Sequence, residues 1–414
     1  MQEVILHIGM PKTGSTAIQT NLAHFDDGQV RFSRLGPRNL TSKLVTIFSD
    51  HPERHYSYRM QALYTGTHKD LAHELQRNLE DELALDRQRL VLSGEGICNF
   101  EEPAVLRMRD FFWELSGKTT VLAYIRDPVS FTSSSFQQRV RSGLGQPEFG
   151  NPKYRFKFKK FVNAFGLENI QFVKFDRKAF TGGSVVNDFC ERVGIPAPSK
   201  RMDIENESLS QEATKLVYLF NHYGALSTGS RELMVARQKM IACLAAAFKD
   251  TKFVIPKPII RQSLNPTDID WMESVAGFKL EEKIESSEPT DTTFEEFLEH
   301  VDAGSIENLK NLLQEKNVKY RSDDGLSLLL SKLYYYFLTE EQLDDLDIDH
   351  LKDIASKIEN RSNVDLGDAQ ILMKIAQKIH PNDTFIAQKI HEYQNILRDN
   401  RPKFIRYILG DRKE

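Results

Sequence analysis

The sequence predicts an α/β fold: a three-layer α/β/α arrangement around a parallel sheet, followed by a C-terminal helical region. Three observations carry this. Residues 3–8 (EVILHI) form a β-branched apolar run that ends at Gly9 and gives way to a helical stretch, the opening unit of a parallel sheet. Three later runs, at 89–93, 119–125 and 170–175, alternate with further helical stretches. The last hundred residues then carry apolar residues at helical spacing alone.

The first run is nearly continuous in apolar residues, as expected of a strand covered on both faces. Residues 16–22 read as the helix after it. A helix over about 70–86 precedes the strand 89–93 (RLVLS), and one over about 103–115 precedes the strand 119–125 (TTVLAYI). Another helix starts near 129, and the run 170–175 (IQFVKF) closes the set of four strands. Between the last two strands, Lys153, Arg155, Lys157, Lys159 and Lys160 alternate with Tyr154, Phe156 and Phe158. Two readings stay open there. One is an amphipathic edge strand or helix start with a solvated basic face; the other is a surface that stacks on and pairs with a sugar-containing anion.

Beyond 184 the chain reads as mainly helical. Ser208 or Ser210 is placed to cap a helix through Ala213, Leu216, Val217 and Phe220. Pro256, Pro258 and Pro266 break the mixed section 224–300. Helices are expected over 305–313, 326–338, 351–358 and 366–379. A second stripe of Ile386, Ile390, Tyr393 and Leu397 follows the turn Pro381-Asn382-Asp383, giving an αα-hairpin. The expected division is therefore an α/β domain over 1–300 and a helical appendage over 301–414, which either meets a partner or caps the main domain. The acid-rich run 340–353 reads as a solvated face.

A chain of 414 residues, 40% hydrophobic and 28% charged, is too long and too apolar for a disordered or disulfide-held protein. Its formal charge of −4 implies no whole-molecule attraction to nucleic acid. The three cysteines, Cys98, Cys190 and Cys243, lie far apart with no CxxC, which fits a reducing compartment and offers no metal site. No apolar run is long enough to span a bilayer and no basic n-region precedes residue 3, so the expected location is cytoplasmic.

The most informative segment is residues 9–16, Gly-Met-Pro-Lys-Thr-Gly-Ser-Thr. Gly9, Gly14 and Thr16 keep the spacing of the nucleotide-binding pattern GxxxxGKT. Yet Ser15 stands where that pattern has its lysine, and the cation is three residues earlier, at Lys12. A nucleotide triphosphatase needs the lysine at the helix start, reaching the outer phosphates beside a metal. Here the N–H groups of residues 13–16 would cradle one tetrahedral anion, with Lys12 beside a bridging or leaving oxygen and no metal required.

This loop, HIGMPKTGSTAIQ, resembles the 5′-phosphosulfate-binding loop of sulfotransferases that use 3′-phosphoadenosine 5′-phosphosulfate (PAPS), bacterial carbohydrate-type members in particular. A second element agrees: Arg126 follows the strand 119–125, and Ser134 stands eight positions on, the spacing of that family's 3′-phosphate motif. Residues 165–170 (FGLENI) and 206–210 (NESLS) are similar too, so the resemblance covers about 1–225 and fades through 226–300. The glycine- and lysine-rich loop RKGxxGDWKN of the steroid- and phenol-type members is absent from the sequence, which points away from them.

The resemblance implies a P-loop-like fold and transfer of the sulfuryl group of PAPS, leaving adenosine 3′,5′-bisphosphate, to a hydroxyl or amine. It implies that Pro11, Lys12, Thr13, Gly14, Ser15 and Thr16 hold the 5′-phosphosulfate, that Lys12 assists the leaving oxygen, and that Arg126 and Ser134 hold the 3′-phosphate. The acceptor needs a base. Glu95, between Gly94 and Gly96 after the strand 89–93, is the first candidate, with His7, His51 and His55 as rivals. The expected acceptor is a glycan or glycolipid, including acidic ones, with peripheral contact at the inner face of a membrane in the glycolipid case. Two other readings stay open: a P-loop kinase or hydrolase, and a non-catalytic relative that binds a sulfated or phosphorylated ligand.

Overall fold

The computed structural model describes residues 2–59, 71–199, 208–223, 231–249, 251–280, 292–341, 345–359 and 366–399. Asn206 and Glu207, and residues 342–344 of the acid-rich run, lie outside them. The chain forms two compact units whose boundaries cross the sequence division at 300. One comprises 1–132, 150–206 and 256–289; the other comprises 133–149, 207–255 and 290–414.

The first unit is built on a five-stranded parallel sheet in the order β2-β3-β1-β4-β5. Its strands are β1 (Glu3–His7), β2 (Val30–Phe32), β3 (Arg89–Ser93), β4 (Lys118–Ile125) and β5 (Ile170–Lys174). Four were expected; β2 was not. Its three residues are too few to show a period, and its pairing with β3 runs from Val30 beside Arg89 to Phe32 beside Val91.

Among the described residues the helices of this unit are α1 (Ser15–Leu22), α2 (Thr41–Phe48), α3 (Leu71–Ala84), α4 (Glu102–Leu115), the start of α5 (Pro128–Arg141), which runs on into the second unit, α6 (Tyr154–Phe165), α7 (Val185–Val193), α10 (Lys257–Arg261) and α11 (Pro266–Ala276), with α8 (Gln211–Tyr223) and α9 (Arg231–Ala247) intervening in the chain. Alternation along the strands sorts the side chains into two cores. Val4, Leu6, Leu90, Leu92, Val121 and Ala123 pack with α2, α3, α4, α6 and α11. Ile5, Val91, Leu122, Tyr124 and Val173 pack with α1 and α7 on the other face. The result is the three-layer α/β/α fold that the sequence predicts.

The basic-aromatic segment is a helix, and its charged face is not all solvated. A period of 3.6 carries Tyr154, Phe158, Phe161 and Phe165 into the core, and Lys157 and Lys160 go with them, 7% and 8% exposed. The Lys157 ammonium donates to the Pro152 carbonyl, and the Lys160 ammonium donates to the Phe156 carbonyl at 3.2 Å, so each keeps a polar partner. Burial lowers both pKa values, that of Lys160 to about 8. The prolines of 256–266 also act differently from the expectation. Pro258 and Pro266 start the short helices α10 and α11, with Asn265 capping the second.

The second unit is helical in its described residues. It holds α8, α9, α12 (Phe294–Glu299), α13 (Ala303–Glu315), α14 (Leu326–Leu338), α15 (Asp345–Glu359), α16 (Leu366–Ile379) and α17 (Thr384–Asp399). Ser210 caps α8 by accepting from the Ala213 N–H at 3.0 Å. The hairpin of α16 and α17 turns at Pro381-Asn382-Asp383. There Asp383 accepts from the N–H groups of Phe385 and Ile386 and pairs with Lys352 at 2.6 Å.

Candidate functional site

Parallel pairing of β1 with β3 and β4 brings three chain segments to one edge of the sheet. His7 stands in register with Ser93 and Leu122, so the loops after β1 and β3 leave side by side, while β4 runs on to Ile125. Beyond β1 the chain stays attached to β4: the Met10 N–H donates to the Tyr124 carbonyl at 3.1 Å. The chain goes to β2 and β3 on one side of β1 and to β4 and β5 on the other. The carboxyl end of β1 is therefore the topological switch point, where open α/β sheets bind ligands.

Gly9 is required here twice over. Its φ of +92° is one that L side chains rarely adopt, and an added Cβ would lie 2.6 Å from the Glu95 carbonyl oxygen. That contact presses the Gly94–Gly96 turn against the glycine loop. It brings Glu95 into the field of Lys12: burial raises the Glu95 pKa, and the Lys12 charge works against that rise. Lys12 itself adopts φ +69° without being a glycine. The Arg126 guanidinium braces this turn, donating to the Lys12 carbonyl at 2.8 Å.

Helix α1 begins with no side chain capping it; its N-cap is Gly14 at φ +79°. Its first residue, Ser15, is 1% exposed, and its hydroxyl has no hydrogen-bond partner among the described residues. A native fold rarely leaves a buried hydroxyl and an uncapped helix N-terminus together. Thr13 is buried and satisfied, donating to the Met10 carbonyl at 2.5 Å, whereas Thr16 is exposed. Pro11 and Lys12 are half-buried at the loop's tip.

Arg126 is mostly buried over the Phe175 ring, 5.7 Å from its centroid, and its Nε donates to the Ser130 hydroxyl at 3.0 Å. Ser130 in turn is held by Asp127. Burial lowers the Arg126 pKa; Asp127 opposes this, and Arg177, exposed after β5, adds to it. Arg177 gave no signal in the sequence, because its nearness to Arg126 depends on β4 and β5 being neighbours. Two guanidinium groups lie near one another, one of them bracing the loop that leads into the helix N-terminus, and both guanidinium groups and helix N-termini favour anions.

Ser134, the expected companion of Arg126, is half-buried on α5, four residues from Ser130 and so on the same helix face. The serine that bonds Arg126 is Ser130. His7 does not reach the surface. It is fully buried, with Nδ1 2.8 Å from the Ser93 hydroxyl, its ring against Tyr124 and Phe189, and its pKa lowered to about 4 by burial. Gln19 completes a buried chain by donating to Ser93 at 3.1 Å. His51 is exposed and 3.3 Å from Glu53; His55 is half-buried, its Nδ1 accepting from the Ser57 N–H at 3.2 Å. Among the described residues no helix is long and apolar enough to cross a membrane.

No family model matches the chain. A protein of Archaeoglobus fulgidus described as an uncharacterized protein is 30% identical over 148 residues, which are 34% of this chain and 41% of that protein. The chain thus spans about two fifths of the length of the curated relative it matches. Among solved structures, a sulfotransferase from Alicyclobacillus acidocaldarius is 14% identical with a TM-score of 0.33, over 67% of this chain and 96% of that one. Likeness at that level does not extend to the roles of residues.

Proposed function

We propose that the protein is a sulfotransferase that moves the sulfuryl group of PAPS to a hydroxyl or amine of a glycan or glycolipid. One observation carries this reading: an uncapped helix N-terminus with the buried, partnerless Ser15 hydroxyl behind it and Lys12 turned beside it. In the proposal the N–H groups of residues 13–16 and the Ser15 hydroxyl take the 5′-phosphate of the donor. Lys12 donates to the bridging oxygen as the S–O bond breaks, so that adenosine 3′,5′-bisphosphate leaves as a stabilised anion. Arg126 grips the 3′-phosphate while still bracing the loop; the part given to Ser134 rests on sequence spacing alone.

Glu95 is the base. Its raised pKa brings it nearer to the proton it must take, and its place beside Lys12 puts acceptor and donor together. In-line displacement then needs only orientation and charge stabilisation. A glycan or glycolipid acceptor, including acidic ones, and peripheral contact with a membrane surface belong to the same proposal.

The test is calorimetric titration with adenosine 3′,5′-bisphosphate in the absence of metal, run against ATP with Mg²⁺. Micromolar binding of the bisphosphate is expected, weakened in Lys12→Ala and more so in Arg126→Ala, which also loses the loop brace. Turnover of labelled PAPS on a glycan panel should fall about a hundredfold or more in Glu95→Gln with bisphosphate binding retained. Preference for ATP with Mg²⁺ would overturn the reading in favour of a kinase or hydrolase. Tight bisphosphate binding without turnover on any acceptor would favour a ligand-binding protein.

A further inference from the structure

In the second unit, one ring nitrogen of His222 and one carboxylate oxygen each from Glu295 and Glu299 lie within 4.8 Å of one another. His222 is in the last turn of α8, and the glutamates stand four residues apart on one face of α12. Both helices are well fixed. Phe294 and Leu298 are buried beneath α12, whose start is closed by a capping box of Thr293 and Glu296.

Three details go beyond a chance meeting of side chains. The Gly145 carbonyl lies 2.5 Å from His222 Nδ1; a carbonyl only accepts, so Nδ1 carries the proton and Nε2 keeps the lone pair that a metal takes. The Tyr223 hydroxyl donates to Glu299 and orients that carboxylate. Tyr218, one turn before His222 and stacked on its ring at 5.5 Å, is fully buried, yet its hydroxyl has no partner among the described residues. Two carboxylates held beside an imidazole whose stacked neighbour carries an orphaned hydroxyl call for a cation, and water bound to that cation would give the hydroxyl a partner.

We propose that His222, Glu295 and Glu299 form a binding site for a divalent transition-metal ion, Zn²⁺ by ligand chemistry, with water completing the coordination. One imidazole and two carboxylates are a donor set that suits Zn²⁺, and a site with three protein ligands keeps a position open for water. The site draws on residues 70 and more apart in the chain, so it ties α8 to α12.

The test uses the full chain after dialysis against a chelator. Zn²⁺ is titrated by calorimetry, and Co²⁺ by its visible d–d absorption. One Zn²⁺ per chain is expected, with Co²⁺ bands that Zn²⁺ displaces. His222→Ala and the double variant Glu295→Gln/Glu299→Gln should each weaken binding about tenfold or more. Both glutamates are exposed, so the double variant reads the site without disturbing a core. Unchanged affinity in a folded double variant would overturn the proposal, as would the absence of Co²⁺ bands or a response to Mg²⁺ or Ca²⁺ alone.

Discussion

Helices α1 and α6 start in the same way and end up with opposite fates. Each follows a left-handed residue, Gly14 at φ +79° and Lys153 at φ +55°, and neither has a side-chain cap of its own. At α6 the missing partner comes from elsewhere in the chain. The Asp268 carboxylate accepts from the N–H groups of Tyr154 at 2.8 Å and Arg155 at 2.7 Å. At α1 no carboxylate among the described residues plays that part, and a buried serine hydroxyl stands there, with Lys12 in the preceding loop. A helix N-terminus attracts negative charge wherever it occurs. One closed by the protein's own carboxylate is a structural joint, whereas the open one is where the proposed function puts an anion from outside.

If the open end is a built feature, its supports should be costly to remove. Gly9→Ala forces a Cβ into the Glu95 carbonyl oxygen at a φ that alanine resists. We expect a loss of about 4 kcal/mol, read from denaturant unfolding. A loss under about 1 kcal/mol would mean that the loop yields freely and is no cradle.

Acid should loosen the same end through His7. Its folded-state pKa is about 4, below the ordinary 6.5 of the unfolded chain, so the unfolded state binds the proton first. The contribution is complete above pH 6.5 and is lost as pH falls toward 4, to the extent of roughly 3 kcal/mol. Unfolding curves between pH 7 and pH 4 should show this slope, and His7→Gln should flatten it. The closed end offers a smaller effect. Asp268→Ala should cost about 1–2 kcal/mol in thermal unfolding and leave bisphosphate affinity unchanged.

The two helix starts also differ in how far the sequence announces them. The glycine spacing and Lys12 are local, and they mark the α1 loop without a structure. What makes the site is less local. The contact of Glu95 with Gly9 follows from the register of His7 with Ser93, and the nearness of Arg177 to Arg126 follows from strand order. At α6 the sequence leaves an edge strand and a helix start both open, since alternation of aromatic and basic residues over 153–160 imitates a strand period, and the segment is the helix. Only the helix shows that Lys157 and Lys160 point inward, and Asp268 is more than a hundred residues away from the N–H groups that it caps. Strands β1, β3, β4 and β5 are legible because their apolar runs are strong; β2, with three residues, is held by its neighbour.

The finest test is Ser15→Ala, because it separates a structural hydroxyl from a waiting one. A hydroxyl that is buried without a partner stabilises nothing in the folded chain, so its removal should leave stability unchanged or raise it by up to about 1 kcal/mol. If an anion from outside is its partner, the same change should weaken bisphosphate binding about tenfold, the worth of one hydrogen bond to a charged group. Asp268→Ala should do the opposite on both counts, losing stability and sparing affinity. Should Ser15→Ala instead destabilise the chain and leave the affinity untouched, the serine already has its partner within the protein. The open start of α1 would then be a joint of the same kind as α6, and the contrast between the two helices would vanish.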